Sequence, residues 1–262
     1  MDRRRNAYFL SDLHLGARYF RSAHEAEKRA VAFLDHIKDD AAEIYLLGDV
    51  LDYWYEYRYV VPKGFVRFFG KLAELADNGV KITWLIGNHD IWIFDYLPSE
   101  LGIRVVDGIL DETIDGKRFI ISHGDGLGRI GPGMRAIRTL FRNRLCQILF
   151  AAIHPRWTVG FAHWWSAYNR RRHHTGPAAR PLPVEPLVQW VEENQLTRPV
   201  PPVDFYVFGH YHTVVDRKVE GARMIVLGDW ITNMSYGTFD GTKFTMHRVD
   251  LEVKNDLSNT GK

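Results

Sequence analysis

Five short motifs of this sequence contain side chains that can bind metal ions, and each motif follows an apolar run of the β type. The motifs are Asp12-Leu13-His14, Gly48-Asp49, Gly87-Asn88-His89-Asp90, His123-Gly124-Asp125 and Gly209-His210-Tyr211-His212. Carboxylate oxygen, amide oxygen and neutral imidazole are ligands that divalent metals accept in proteins. Taken together, the five motifs predict one metal centre at the ends of several strands.

The number of candidate ligands suits two metal ions that share one ligand. The candidates are Asp12, His14, Asp49, Asn88, His123, His210 and His212. Two four-ligand shells need one shared ligand here, and Asp49, alone in its motif, is the expected bridge. Two metals about 3.5–4 Å apart can hold a phosphoryl oxygen between them and lower the pKa of a bridging water. The expected chemistry is therefore hydrolysis of a phosphate ester.

His89 lies next to the candidate ligand Asn88 and could face a substrate. We predict it as the catalytic residue, since a histidine there could protonate the leaving oxygen or stabilise the developing charge. Each motif alone also has an ordinary structural explanation, such as a capping aspartate, a turn or a pair of surface histidines. Five such coincidences at successive strand ends are a poorer explanation than one metal centre.

The segments that carry the motifs alternate between strand-like and helical patterns. Strand-like runs cover residues 7–10, 43–47, 81–86 and 204–208. Two helical periodicities, at 26–37 and 65–76, separate the first three runs, and Asn78-Gly79 is a stop signal for the second helix. Strands that alternate with helices predict βαβ units and a largely parallel sheet, with the site beyond the carboxyl ends of its strands.

The later part of the chain predicts antiparallel hairpins. In each of three pairs of strand-like runs, the two runs flank a two-residue turn that ends in glycine. Where this turn is Asp-Gly, it is a strong hairpin signal. The pairs are 109–114 with 117–122, 214–219 with 222–227, and 236–239 with 243–249. We expect these hairpins to form a second sheet. The predicted fold class is α/β, a two-sheet sandwich flanked by helices.

Residues 126–184 differ in composition from the rest of the chain. They contain ten arginines and no lysine, Asp or Glu, so subtracting these ten charges from the net charge of +2 leaves −8 for the remainder. Helical periodicity over 134–153, a break at Pro155 and a second helical run over 159–172 predict a helical cap at about 127–180. The segment also carries tryptophan and phenylalanine: Phe141, Phe150, Trp157, Phe161, Trp164 and Trp165.

A basic, aromatic cap has several possible roles. Arginine suits phosphate oxygens, and an Arg, Trp and Phe face suits anionic lipid headgroups above acyl chains. A solvated basic face over a small core of its own is an equally good interpretation. A nucleic-acid surface is less favoured, because the rest of the chain is acidic and no base-reading module is recognisable. No nucleic-acid partner is therefore expected.

In order and type, the five motifs resemble those of the calcineurin-like metallophosphoesterase superfamily, over roughly residues 6–215. The resemblance implies the metallophosphoesterase sandwich and a particular division of the ligands. One metal would be held by Asp12, His14, Asp49 and His212. The other metal would be held by Asp49, Asn88, His123 and His210.

Three features resemble the UDP-2,3-diacylglucosamine pyrophosphatase family of lipid A biosynthesis. They are the sequence from Ser11 to Gly16, the helical region after the fourth motif, and Val226-Leu227-Gly228-Asp229-Trp230. The resemblance implies a peripheral inner-membrane enzyme with two Mn²⁺ ions, which cleaves the UDP-linked acylated sugar to UMP and 2,3-diacylglucosamine 1-phosphate. Fe²⁺ and Zn²⁺ also accept this ligand set. The candidate substrate contacts in the cap are Ser166, Asn169, Arg170, Arg171 and Arg172.

His89 departs from that family, whose best-known members carry arginine at this position. A histidine there is the ordinary choice of phosphoesterases. The alternative function is therefore a metallophosphoesterase that acts on another phosphodiester or on a nucleotide.

The length of 262 residues suits one domain, which we expect to cover 1–253 with the cap inserted and a loose tail at 254–262. The single Cys146 cannot form an internal disulfide, which fits a reducing compartment and also a secreted protein without disulfides. The apolar run at 7–10 is too short for a signal-peptide core, and no segment approaches about 20 uninterrupted apolar residues. We expect a cytoplasmic protein on the cytoplasmic face of the inner membrane, with the cap against the membrane surface. Its oligomeric state stays open.

Overall fold

The computed structural model describes residues 5–17, 20, 22–128, 131–161, 164, 183–197 and 201–250. The first half contains β1 (Asn6–Leu10), α1 (Ala23–Ile37), β2 (Ala41–Leu47), α2 (Val66–Asp77), β3 (Lys81–Leu85), α3 (Tyr96–Leu101), β4 (Arg104–Val106), β5 (Ile109–Ile114) and β6 (Lys117–Ser122). The second half contains α4 (Pro132–Arg142), α5 (Arg144–Ala151), α6 (Glu185–Thr197), β7 (Phe205–Phe208), β8 (Val214–Val219), β9 (Ala222–Leu227), β10 (Ser235–Phe239) and β11 (Phe244–Arg248).

The strands form two sheets, in the orders β11-β10-β1-β2-β3-β4 and β5-β6-β7-β9-β8. Strands β1 to β4 run parallel to one another, and so do β6, β7 and β9. Because parallel strands end on the same side of a sheet, the loops that follow them gather at one edge. The prediction of a two-sheet α/β sandwich is confirmed.

Alternation along the strands separates the apolar core into layers. On β1, Tyr8 and Leu10 pack with Phe33 of α1 on the outer face of the first sheet. Ala7 and Phe9 point the opposite way, into the layer between the two sheets. A third apolar cluster lies between the second sheet and α6. The helices therefore cover the outer faces, as predicted.

The sheet assignment of the third hairpin was wrong. Two hairpins, β5–β6 and β8–β9, lie in the second sheet as expected. The β10–β11 hairpin instead extends the first sheet, with β10 antiparallel to β1 and Phe239 opposite Ala7. Phe239 and Phe244 are fully buried in the layer between the sheets, where Phe244 packs against Phe9. Burial of these two rings is the physical reason why the hairpin lies beside β1.

The predicted helix at 134–153 is also divided in the structure. Asn143 has an extended backbone with φ −72° and ψ 122°, and it ends α4. Its side chain accepts a hydrogen bond from the Cys146 N–H and so caps α5. The next helical stretch begins at Pro155, earlier than predicted, because proline suits the first turn of a helix. Of the predicted cap, residues 127–128, 131–161 and 164 are described; the predicted tail at 254–262 lies outside the described residues.

Helix α2 begins without a side-chain cap of its own, and a buried glutamate from another helix takes that role. Its N-cap residue, Phe65, has a left-handed backbone with φ 61°. Glu27 of α1, which is 4% exposed, accepts hydrogen bonds from the N–H groups of Arg67 (2.8 Å) and Phe68 (3.3 Å). A carboxylate there also interacts favourably with the positive end of the helix.

Replacing Glu27 by alanine should lower the free energy of unfolding by about 2 kcal/mol, because two N–H groups lose a charged acceptor. Urea denaturation followed by circular dichroism measures this change. Lys28→Ala, at an exposed position on α1 beyond its first turn, is the control and should unfold close to the wild-type urea concentration. Equal midpoints for Glu27→Ala and the control would contradict the capping role.

Candidate metal centre

The seven predicted ligand side chains meet where the parallel strands of the two sheets end. Asp12 and His14 follow β1, and Asp49 and Asn88 follow β2 and β3. The three remaining histidines follow β6 and β7 of the second sheet. Three sets have ligand atoms within 4.8 Å of one another: Asp12, His14 and His212; His14, Asp49 and His89; and Asp49, His123 and His210. Asn88 lies with the third set, since its Oδ1 is 3.2 Å from Nε2 of His123.

The backbone at these positions is strained. Nine non-glycine residues have a positive φ in the part of the chain that the structure describes, and five of them are predicted ligands: Asp12, His14, Asp49, His210 and His212. Such a conformation costs about 1–3 kcal/mol per residue and persists only where the surroundings enforce it, often at functional sites. The positive φ angles turn neighbouring side chains out of the regular strand pattern and towards a common point.

Glycines let the ligand loops approach one another closely. A Cβ on Gly48 would lie 2.7 Å from both the Cα of Gly87 and Nδ1 of His123, and Gly48 has a φ of 79°. A Cβ on Gly209 would lie 2.7 Å from Oδ2 of Asp12 and would overlap Oγ of Ser11. The glycines before the ligands are therefore needed for backbone contact across the centre.

Asp12 presents one unpaired oxygen to the centre. Its Oδ2 accepts hydrogen bonds from Oγ of Ser11 (2.5 Å) and the N–H of His210 (2.8 Å). Its Oδ1 lies 3.8 Å from Nε2 of His14 and 3.6 Å from Nε2 of His212. Within the described residues, Asp12 Oδ1 and His14 Nε2 are buried without a hydrogen-bond partner. Since orphaned buried polar atoms are costly, this donor set fits a bound cation.

Asp49 has the geometry of a shared ligand. Its Oδ1 accepts a hydrogen bond from the N–H of His89 at 2.8 Å. Its Oδ2 lies 3.8 Å from Nε2 of His14 and 3.5 Å from Nε2 of His123. One carboxylate oxygen thus faces a histidine of each predicted metal site.

Three of the four ligand imidazoles face an oxygen atom through Nδ1. His123 Nδ1 donates to the carbonyl of Leu47 at 2.7 Å. His14 Nδ1 lies 3.3 Å from Oδ1 of Asp52, and His212 Nδ1 lies 3.1 Å from Oδ2 of Asp229. In His123 and His212, Nδ1 is hydrogen-bonded, and the Nε2 lone pair is left to face the centre, which is the usual arrangement of metal-binding histidines. The Nδ1 of His14 faces Asp52 without a hydrogen bond.

Sequence reasoning did not assign a role to Asp52 or Asp229. Both residues lie in or near sequence patterns that could have been recognised. Asp52 is three residues after Asp49, and Gly228-Asp229 after β9 repeats the pattern of Gly48-Asp49 after β2. A rule that each ligand histidine needs an acceptor for its other nitrogen could have directed attention to both.

The electrostatics of the centre favour charged carboxylates. Burial by itself would raise the pKa of Asp49, but the neighbouring imidazoles of His123 and His89 hold it well below the ordinary value. Burial, together with repulsion from His123, lowers the pKa of His210 to about 3. The buried anions and the neutral His210 are protonation states that metal binding requires. Despite their burial, nearby carboxylates raise the pKa of His14 to about 10 and that of His123 to about 9, so these two imidazoles must lose a proton when a metal binds.

His89 lies at the solvent side of this cluster, with its side chain 25% exposed. Its Nδ1 is 2.9 Å from the carbonyl oxygen of Asp52 and 3.7 Å from Oδ1 of the same residue. Its Nε2 is 4.0 Å from Oδ2 of Asp49. The ring is therefore held by Asp52, with Nε2 beside the carboxylate of Asp49 and on the solvent side of the cluster.

Helices α4 and α5 rest on loops of the same site. Arg138 pairs with Asp125, next to the fourth motif, and Arg142 Nη2 lies 2.8 Å from Asp107. Trp92 donates from Nε1 to the carbonyl of Phe141 in α4 at 3.0 Å, and its ring lies 4.8 Å from that of Phe150 in α5. The helices thus contact the loops that carry His123 and His89. The candidate substrate contacts Ser166, Asn169, Arg170, Arg171 and Arg172 lie outside the described residues.

Residues 6–214 match the family model of the calcineurin-like phosphoesterases. The chain therefore belongs to the calcineurin-like phosphoesterase family and is a metal-dependent phosphoesterase. The resemblance drawn from the five motifs is confirmed.

Among its relatives is the UDP-2,3-diacylglucosamine hydrolase of Porphyromonas gingivalis. It is 42% identical over 261 residues, which cover 94% of this chain and 98% of that protein. The UDP-2,3-diacylglucosamine hydrolase of Nitrosococcus oceani is 27% identical over 85% of this chain and 86% of its own length. A solved archaeal phosphodiesterase covers 93% of this chain and 99% of its own, at 14% identity and a TM-score of 0.45.

Proposed function

We propose that this chain hydrolyses the diphosphate of UDP-2,3-diacylglucosamine to UMP and 2,3-diacylglucosamine 1-phosphate. The observation that carries this proposal is the 42% identity to a hydrolase of that name over nearly the full length of both proteins. The similarity extends past the metallophosphoesterase match at residues 6–214, and it is too long to leave out the arginine-rich segment. It therefore includes the segment that we propose as the cap as well as the residues of the metal centre.

The proposed metal ligands are the two sets of four residues that the motifs imply. Asp12, His14, Asp49 and His212 would hold one divalent ion, and Asp49, Asn88, His123 and His210 would hold the other. We propose manganese for both, although oxygen and imidazole ligands also suit Fe²⁺ and Zn²⁺. When bound, the two ions neutralise phosphoryl oxygens and activate a water for attack on phosphorus.

His89 is the proposed catalytic residue. Its Nδ1 is engaged by the Asp52 carbonyl, so the proton of a charged ring is presented on Nε2. From there it can donate a hydrogen bond to a diphosphate oxygen and stabilise the charge that develops as the P–O bond breaks. Its hydrogen bond from the backbone N–H to Asp49 Oδ1 fixes the ring relative to the shared ligand.

The proposed cap is the segment at about 127–180, and we propose that it contacts the membrane that contains the acylated substrate. Its apolar side chains are unusually exposed, with Trp157 69%, Leu145 64% and Leu149 61% exposed. Arg135, Arg144 and Arg156 lie among them, and arginine interleaved with apolar residues suits an anionic lipid surface. Within the described ranges, every helix is too short or too polar to cross a bilayer. We propose a peripheral location on the cytoplasmic face of the inner membrane.

The substrate is tested by incubating the purified protein and Mn²⁺ with UDP-2,3-diacylglucosamine and measuring UMP. UDP-N-acetylglucosamine is the matched substrate without the two acyl chains, and bis(p-nitrophenyl) phosphate reports generic phosphodiesterase activity. We expect UMP from the acylated substrate and little from the soluble one. If the generic diester is hydrolysed and no UMP appears, the substrate assignment is wrong.

The second candidate is a phosphoesterase with another phosphodiester or nucleotide substrate. The observation that favours it is His89, because the best-known UDP-2,3-diacylglucosamine pyrophosphatases have arginine at that position. Comparable turnover of the acylated and soluble diphosphates in the same assay would support this second function.

A further inference from the structure

Asp229 lies beyond residues 6–214, the segment that the family model matches, and yet it contacts the centre. It follows β9 and is 4% exposed. Its Oδ2 lies 3.1 Å from Nδ1 of His212. Its Oδ1 accepts hydrogen bonds from the N–H groups of Ile231 (3.1 Å), Thr232 (2.7 Å) and Asn233 (2.8 Å).

Because three backbone N–H groups donate to Oδ1 of Asp229, the direction of its Oδ2 is fixed. The carboxylate cannot rotate away from His212 without losing these bonds, so Oδ2 stays aimed at the imidazole. Two further bonds fasten the loop to the ligands. The Trp230 N–H donates to the carbonyl of Asp12 at 3.1 Å, and Nδ2 of Asn233 donates to the carbonyl of His212 at 3.0 Å.

We propose that Asp229 is a positioning residue of the metal centre, which acts through His212. It holds the proton of the neutral ring on Nδ1, and Nε2 then faces Oδ1 of Asp12, 3.6 Å away. This inference rests on the proposed ligand set but not on the proposed substrate. Because His212 belongs to the set with Asp12 and His14, removing the carboxylate should weaken that metal site selectively.

The two predicted metal sites differ in the group that accepts the Nδ1 proton of a ligand histidine. His123, in the other set, donates from Nδ1 to the neutral carbonyl of Leu47. A carboxylate partner makes an imidazole a stronger ligand than a carbonyl does, and loss of such an outer partner typically costs 10- to 100-fold in metal affinity. The effect of Asp229 is therefore predicted at one site, whereas a general weakening of the fold would lower binding at both.

Asp240 provides a matched control. It is also an aspartate in a turn, and its Oδ1 accepts hydrogen bonds from the N–H groups of Thr242 (2.9 Å) and Lys243 (2.7 Å). It is exposed, and it has no hydrogen-bonded histidine among the described residues. Asp240→Asn thus reproduces the loss of a turn carboxylate away from the metal centre.

The experiment titrates Mn²⁺ into metal-free wild type, Asp229→Asn and Asp240→Asn by calorimetry. Wild type should bind two ions. In Asp229→Asn, the new side-chain amide keeps Oδ1 for the three backbone donors and turns its NH₂ towards Nδ1 of His212, which forces the ring proton onto Nε2. We expect one of the two affinities to fall by about 10- to 100-fold in Asp229→Asn, and both to stay within about twofold of wild type in Asp240→Asn.

Wild-type affinities at both sites of Asp229→Asn, or an equal loss at both, would overturn the proposal. If wild type itself does not bind two ions, the failure is that of the proposed metal centre. Should Asp229→Asn not fold, nitrogen NMR of His212 in metal-free wild type reports the tautomer directly. A proton on Nδ1 of the neutral ring supports the proposal, and a proton on Nε2 overturns it.

Discussion

Asp49→Ala should lose both metal binding and hydrolysis, because one oxygen of Asp49 serves both predicted metal sites. Oδ2 lies between Nε2 of His14 and Nε2 of His123, at 3.8 Å and 3.5 Å. The other oxygen accepts the His89 N–H, so the substitution also releases the loop that carries Asn88. We expect activity to fall by more than about 100-fold, the upper limit for loss of a mere outer partner of a ligand.

Two measurements check this result. Elemental analysis of the purified variant should give well under two metals per chain, and turnover of bis(p-nitrophenyl) phosphate should be at background. Asp39→Ala removes an exposed carboxylate and is the control, with wild-type metal content and turnover expected. Full activity in Asp49→Ala would refute the shared ligand, and full metal content with lost activity would limit Asp49 to a role in the reaction.

The cluster of candidate ligands could be predicted from the sequence because each loop needs particular residue types. A carboxylate, amide or imidazole must stand shortly after a strand, and a glycine precedes three of the seven candidates, since a Cβ at Gly48 or Gly209 would collide with a neighbouring loop. Those requirements are local and leave a recognisable pattern. The strand and helix periodicities that carry the loops are local as well.

What the sequence did not reveal depends on contacts between distant segments. The turn signal at Asp240-Gly241 predicts a hairpin but carries no information on the sheet it joins, which is decided by packing of Phe244 against Phe9. Strand β4 has three residues, too few for a recognisable alternation, and it is defined by pairing with β3. Likewise, Asp229 has the sequence pattern of an ordinary turn, and only its contact with His212 makes it part of the site.

Substitution of His89 is the second change for which we expect a large loss of activity. His89→Ala should keep both metals, since the proposed ligand set does not include this residue, but it should lower kcat by about 10²- to 10³-fold, as loss of one charge-stabilising donor does. The metal content of the variant separates this role from that of a ligand. A fall to one metal per chain would show that His89 binds metal through Nε2.

His89→Arg distinguishes charge stabilisation from proton transfer. Cleavage of a diphosphate releases a phosphate monoester, whose second pKa is about 6, so that leaving group needs no proton. Arginine supplies the positive charge but no proton at neutral pH, and His89→Arg should therefore retain activity on UDP-2,3-diacylglucosamine within about tenfold of wild type. On an alkyl phosphodiester, whose leaving alkoxide is a far stronger base, the same variant should be as poor as His89→Ala. Equal impairment on both substrates would mean that His89 acts as an acid in diphosphate cleavage too, and that arginine cannot take its place at this centre.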